Sequence, residues 1–158
     1  MIFFDLGVYN STEEFFFDKL IKNKIDVFCD IRQRRGVRGA KYSFVNKKRL
    51  ESKLEEYGII YKHNINLAPT KEIRELQKRD DLIKNNMKKE RKRLGEIFVN
   101  KFQDDIINDF DFQGFISDME KLKAQRVALF CVEEFSEACH RSLVSKELNK
   151  MGYKTVSI

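Results

Sequence analysis

Short apolar runs punctuate the chain, and longer amphipathic stretches separate them. "IFFDL" (2–6) and "IDVFCDI" (25–31) are almost continuously apolar, the pattern of strands covered on both faces. Between them "STEEFFFDKLIKN" sets Ser11 and Glu14 at capping-box spacing ahead of Phe15, Phe16, Leu20 and Ile21, which predicts a helix. Residues 32–45, "RQRRGVRGAKYSFV", contain Gly36 and Gly39 and read as a loop. Asn46 then stands as an N-cap, with Val45 and Leu50 spaced as a hydrophobic staple and Leu50, Leu54 and Tyr57 on one helical face. Gly58 ends that helix, and "IIYKH" (59–63) is the third strand.

The second half repeats the alternation. Thr70, after the single proline at 69, caps a helix that begins near Lys71. Residues 71–93 are charged and poor in apolar positions, so the segment 71–95 is expected to project from the core as a basic helical insertion. Helical patterns resume in "LGEIFVNKFQDDII" and "DFQGFISDMEKLKA", and "RVALFCV" (126–132) is a fourth buried strand. Leu143, Val144, Leu148 and Met151 then recur at helical spacing, Gly152 stops that helix, and "YKTVSI" alternates as a fifth strand.

Strands alternating with helices predict one α/β domain over 1–158. Its expected architecture is a three-layer, Rossmann-like, doubly wound and mainly parallel sheet of five strands. A chain of 158 residues is long enough to bury a sizeable core without staples. Cys29, Cys131 and Cys139 cannot all pair, and the first two sit in apolar runs, so a disulfide scaffold is not expected and a reducing cytoplasm is. No run approaches the roughly 18 apolar residues that span a bilayer, and Asp5 interrupts the N-terminal stretch too early for a signal peptide, so no membrane partner is expected.

Charge changes this picture more than composition does. The net charge is +6, yet residues 32–49 alone carry +8 with no acid and residues 71–93 carry +5, which leaves −7 for the remainder. The basic character is local, as a docking surface for phosphates requires. Arg34, Arg35, Arg38, Lys41, Lys47 and Lys48 are the residues of the first cluster expected to track a nucleic-acid backbone. Tyr42 and Phe44, inside the same loop, either stack on bases or anchor the loop to the core.

In a doubly wound sheet, sites form at the carboxyl ends of the strands. That edge gathers Gly7, Tyr9 and Asn10, then Asp30 and Arg32, then His63 and Asn64, and finally the stretch "CVEEFSEACHR" (131–141). The last stretch supports several readings. Cys131, Glu133, Cys139 and His140 are metal-ligand types, but their spacing matches no closed zinc module, and adjacent Cys139 and His140 point about 100° apart if helical. Cys139 in a first helical turn, near His140 and Arg141, would be an activated thiol. A helix N-terminus with Arg141 facing Arg32 would hold a phosphate or carboxylate, which needs the fewest coincidences. The structural alternative packs both cysteines and pairs Glu133 with Arg141 or Arg32.

At these residues the sequence resembles a known family, the domain of unknown function family 488. The pieces that carry the likeness are "FFDLGVYNSTEEF", "IDVFCDIR", "FVNKKRLESKLEEYGIIYKH" and "VALFCVEEFSEACHRSLVSKEL", the last containing the family's Cys-x-Glu followed by Cys-His-Arg. After Asp-x-Arg the family usually carries a Pro and a Ser, whereas this chain has Arg35 and Val37. With "RRGVRG" and "NLAPTKEIRELQ" it looks like a branch in its own right. The resemblance implies a Rossmann-like fold and a site built from Arg32, Glu133, Cys139, His140 and Arg141. It supplies no reaction.

Together these readings lead to an expectation of an enzyme acting on a nucleic acid or nucleotide. Arg32 and Arg141 would hold phosphate, Glu133 would act as general acid or base, and His140 and Cys139 would assist. The alternatives are a non-catalytic nucleic-acid or protein-binding module with a structural Cys-His-Arg cluster, and a thiol-based redox protein. No Walker or dinucleotide glycine loop is present, so no ATP or NAD cofactor is expected, and no metal is assigned.

Overall fold

The computed structural model describes residues 1–85 and 91–158. Five strands, β1 (Ile2–Leu6), β2 (Val27–Asp30), β3 (Ile60–His63), β4 (Arg126–Phe130) and β5 (Lys154–Ser157), form one sheet in the order β3-β2-β4-β1-β5. Every neighbouring pair is parallel. The helices are α1 (Glu13–Lys22), α2 (Lys47–Glu56), α3 (Lys71–Ile83), α4 (Glu96–Phe102), α5 (Phe112–Lys121) and α6 (Arg141–Lys150), and α4 runs on into a π-helical turn at Gln103–Ile107.

The apolar runs explain why the sheet is covered on both sides. Side chains alternate between faces along a strand. Phe4, Phe28, Ala128 and Phe130 therefore meet Phe16, Leu20, Leu50 and Leu54 of α1 and α2 on one face. Their neighbours Phe3, Val27, Val127 and Leu129 meet Ile73, Phe102, Phe115 and Val144 of α3 to α6 on the other. The result is the predicted α/β architecture, a five-stranded parallel Rossmann-like sheet between two helical layers. β3 and β5, at the edges, are the partly exposed strands.

Local signals were used in ways the sequence only partly specifies. Thr12, not Ser11, caps α1, its hydroxyl accepting the Phe15 N–H at 3.2 Å. "NST" offers three capping residues in a row, and backbone geometry selects among them. Asn46 does precede α2, but its side chain accepts the Val37 N–H at 2.7 Å and ties the basic loop to the helix start. Thr70 caps α3 as its position predicts, accepting from Ile73 N–H at 3.2 Å. Gly58 and Gly152 follow α2 and α6 with φ of +69° and +90°, conformations in which a Cβ would be strained.

α3 is the first part of the segment expected to project. It sinks Ile73, Gln77 and Asp81 into the molecule and forms one wall of a cleft at the carboxyl edge. Residues 86–90 of that segment lie outside the described residues.

Candidate functional site

A cleft of about 730 Å³ opens at the carboxyl ends of β2 and β4. Arg34 and Arg38 of the basic loop line it together with Lys71, Arg74 and Lys78 of α3. The lining also includes Arg32, Arg91, Cys131, Glu133, Cys139 and His140, all of them buried side chains. The volume falls within the range of about 300–1,000 Å³ typical of small-molecule sites.

Arg32 is fixed by the strand that delivers it. Its Nε donates to Asp30 Oδ1 at 2.9 Å and one terminal nitrogen to Asp30 Oδ2 at 2.7 Å, a bidentate pair buried at the end of β2. The same nitrogen also donates to the Val45 carbonyl at 2.9 Å, and the guanidinium lies 4.6 Å from the centre of the Phe130 ring. Tyr61 donates its hydroxyl to Asp30 at 2.8 Å. Burial, reinforced by the charge of Asp30, raises the Tyr61 pKa, so that hydroxyl stays a donor. Asp30 thus offsets the charge of Arg32, and Nη1 remains as a buried donor with no partner among the described residues.

Glu133 is held by backbone approach and by a cation. A Cβ on Gly7 would lie 2.1 Å from the Glu133 carbonyl oxygen, so only glycine at the end of β1 lets the segment after β4 pass this close. Arg91 Nη2 lies 3.4 Å from Glu133 Oε1, while its Nη1 donates to Asp81 at 2.7 Å and its Nη2 to the Ala138 carbonyl at 2.9 Å. Gln77 continues the chain, donating to Asp81 at 2.8 Å and accepting from the Gly95 N–H at 2.8 Å. One buried network therefore joins α3, the residues before α4 and the turn before α6.

Beside Glu133 two thiols meet an imidazole. Cys131 Sγ donates to Glu133 Oε2 at 3.2 Å, and His140 Nδ1 lies 3.6 Å from Cys139 Sγ and 4.0 Å from Cys131 Sγ. The other ring nitrogen, Nε2, donates to the Ile31 carbonyl at 3.0 Å, which leaves Nδ1 pointing at the sulfurs. The hydrogen bond to Cys139, followed by burial, holds the Cys131 thiol well above its ordinary pKa. Burial pulls the His140 pKa down, yet Cys131, Glu133 and the Ile31 carbonyl together lift it above the ordinary histidine value. Of the residues able to hold a metal, Cys131, Cys139 and His140 place their ligand atoms within 4.8 Å of one another.

The other sequence-predicted residues divide sharply. Arg141 does not line the cleft. It is 1% exposed, its Nη2 donates to the Glu134 carbonyl at 2.8 Å, and its charge acts on Asp5. Asp5 accepts from Ser145 at 2.7 Å and Ser136 at 2.9 Å in a second buried cluster. Cys139 lies before α6, in extended backbone, and not in its first turn. Arg35 pairs with Glu51 at 3.6 Å, and Lys41, Lys47 and Lys48 are exposed outside the cleft. Tyr42 and Phe44 are buried core residues, so they anchor the loop.

Sequence reasoning missed Arg91, Asp81, Gln77 and Arg74. A signal existed: Ile73, Gln77 and Asp81 recur at i, i+4 and i+8, so the inner stripe of α3 turns from apolar to polar where a core-facing helix should stay apolar.

No helix among the described residues is long and apolar enough to cross a membrane. No curated protein and no solved structure gives a match to this sequence. A family model, in contrast, matches residues 11–148, most of the chain, including β2, β4 and α3. The protein therefore belongs to the family described as domain of unknown function DUF488.

Proposed function

We propose that the protein is an enzyme acting on a phosphate-bearing substrate, a nucleic acid or a nucleotide, bound in the carboxyl-edge cleft. The observation that carries this reading is the charge of the lining. Seven cationic side chains face three acidic ones, Glu75, Asp81 and Glu133, among the described residues. Arg34 and Arg38 of the basic loop and Lys71 and Lys78 of α3 line the same cleft, so an anion entering it meets cations from two separate elements. Arg32 Nη1 and Arg74 Nε are buried donors without partners among the described residues, and buried donors are ordinarily satisfied. A phosphate oxygen is the acceptor that fits them.

In this reading Arg32 positions phosphate through its spare nitrogen, and the exposed cations track the backbone. Glu133 on the floor exchanges a proton with the substrate, with Arg91 keeping its carboxylate oriented, and His140 and Cys139 assist. Arg141 takes no part, being turned into the other cluster.

One observation favours a non-catalytic binding module: both Glu133 oxygens have partners within the protein, Arg91 and Cys131. The test separates the two. Fluorescence anisotropy with single-stranded and duplex oligonucleotides across a salt series is expected to show affinity that falls steeply with salt. It should drop further in an Arg34/Arg38/Lys71/Lys78→Ala variant and hold in a Lys47/Lys48→Ala variant. Glu133→Gln should keep that affinity and abolish turnover of whichever oligonucleotide the wild type converts. Absence of binding to oligonucleotides and to nucleotides at low salt refutes the enzyme reading and a nucleic-acid-binding module alike.

A further inference from the structure

We propose that Cys131, Cys139 and His140 bind a zinc-type divalent cation at the floor of the cleft, through two thiolates and the Nδ1 of the imidazole, with the fourth coordination position open to the cleft. The inference stands on geometry and does not depend on the anion reading.

The spacing matches no closed zinc module, and a second sequence objection to a metal is that neighbouring residues of a helix point apart. That objection does not apply to this backbone. Cys139 has φ −135° and ψ 146°, extended, while His140 has φ −57° and ψ −19° and stands as the N-cap of α6. The change of conformation between the two residues turns both side chains to one point, and Cys131, arriving at the end of β4, meets them there.

The spacing suits a tetrahedral centre. Zinc–sulfur bonds of about 2.3 Å and a zinc–nitrogen bond of about 2.0 Å at tetrahedral angles require S···N edges of roughly 3.6 Å. The two S···N distances are 3.6 and 4.0 Å, and all three ligand atoms lie within 4.8 Å of one another. The S···S edge of such a centre is about 3.8 Å, so a closing shift of at most about 1 Å completes the set. Two thiolates and one imidazole select zinc among common divalent ions, since magnesium and calcium prefer oxygen ligands.

The surroundings have the form that metal-bound histidines need. His140 Nε2 donates to the Ile31 carbonyl at 3.0 Å, which fixes the tautomer with Nδ1 free to ligate, and the Phe102 ring packs 5.5 Å from the imidazole. Cys29 supplies the contrast. It is equally buried, but it packs in the apolar cluster on the opposite face of the sheet from Cys131 and Cys139, and burial pushes its thiol up to about 12. All three proposed ligands, and Glu133 beside them, line the cleft. Three protein ligands with an open fourth position is the arrangement of a catalytic site, not of a closed structural one. Glu133 Oε2 lies 3.2 Å from Cys131 Sγ, and a carboxylate that close to the centre would serve as proton acceptor for a metal-bound water.

The experiment is metal uptake by the full chain, purified under reducing conditions, stripped with a chelator and titrated with zinc against a chromogenic competitor, then with cobalt for its spectrum. The expected result is one equivalent bound, with a thiolate-to-cobalt charge-transfer band. That band should weaken by about half in Cys139→Ser and remain in Cys29→Ala, and zinc affinity should fall by at least about 100-fold in Cys139→Ser. Zinc-edge X-ray absorption on the wild type provides a readout independent of any variant's folding: it should show two sulfur ligands at about 2.3 Å. No zinc uptake while all three thiols titrate as free, a band unchanged in Cys139→Ser, or a zinc shell without sulfur would overturn the proposal.

Discussion

Two buried polar clusters sit at the same end of the sheet, a few residues apart in sequence, and they differ in what they face. The first joins Arg91, Asp81, Glu133, Cys131, Cys139 and His140, and it forms the floor of the cleft. The second joins Asp5, Ser136, Ser145 and Arg141, none of which line that cleft. The Cys-His-Arg stretch is divided between them at the first residue of α6, because successive helical side chains rotate by about 100°. Adjacency in a motif is therefore not adjacency in a site. Cys139 and His140 belong to the cleft, and Arg141 supports the fold beneath it.

If this division is right, substitutions in the two clusters should have opposite signatures. The largest effect on stability is expected for Arg141→Met, which removes a buried cation and leaves the Glu134 carbonyl and Asp5 without it. Urea unfolding should show a loss of about 3 kcal/mol, with oligonucleotide affinity of the folded protein unchanged. Gly7→Ala comes next: its Cβ would meet the Glu133 carbonyl at 2.1 Å, and the backbone shift should cost about 1–3 kcal/mol while disturbing the floor of the cleft.

The cleft side should behave in reverse. Arg34→Ala with Arg38→Ala should leave stability within about 0.5 kcal/mol of wild type, because both side chains are exposed. The logarithmic salt slope of duplex binding should fall by roughly 2, as expected for two lost phosphate contacts. Equal losses of affinity in this variant and in Arg141→Met would erase the distinction.

The smallest effect concerns pH. Burial raises the Asp5 pKa above its ordinary 3.8, against the hydrogen bonds from Ser145 and Ser136 and the charge of Arg141, which lower it. A carboxyl raised in the folded state contributes stability that is full below the unfolded value and is lost as pH rises through the folded value. Asp5→Asn keeps one acceptor and adds a donor, and the serine hydroxyls can rotate to match. Its stability relative to wild type should therefore improve from mildly acid pH to neutrality, and a flat difference would place Asp5 among ordinary carboxylates.

The fold was largely legible because the buried parallel strands β1, β2 and β4 write themselves as apolar runs, and the two partly exposed edge strands also fall where the sequence predicts them. The helix starts were less so. In "NST" three residues can cap, and Asn46 bonds to Val37 across the loop, a contact of tertiary origin that no local pattern encodes. For the site, the carboxyl-edge rule brought Arg32, Glu133, Cys139 and His140 to one cleft. It could not assign Arg141, because the phase of a helix is unknown until its first residue is known. The contribution of α3 was hidden for a different reason: a run of charges reads as a solvated face, and only the polar residues on its inner stripe betray a buried network.

The central claim is that a phosphate-bearing ligand occupies the cleft. The most direct measurement is amide chemical-shift mapping during titration with a short single-stranded oligonucleotide. The account predicts saturable shifts at Gly36, Val37 and Arg38, at Arg74 and Gln77, and at Glu133, with Asp5, Ser145 and the β5 amides unmoved. Shifts centred on the Asp5–Arg141 cluster, or confined to Lys47 and Lys48 on the outer surface, would contradict it.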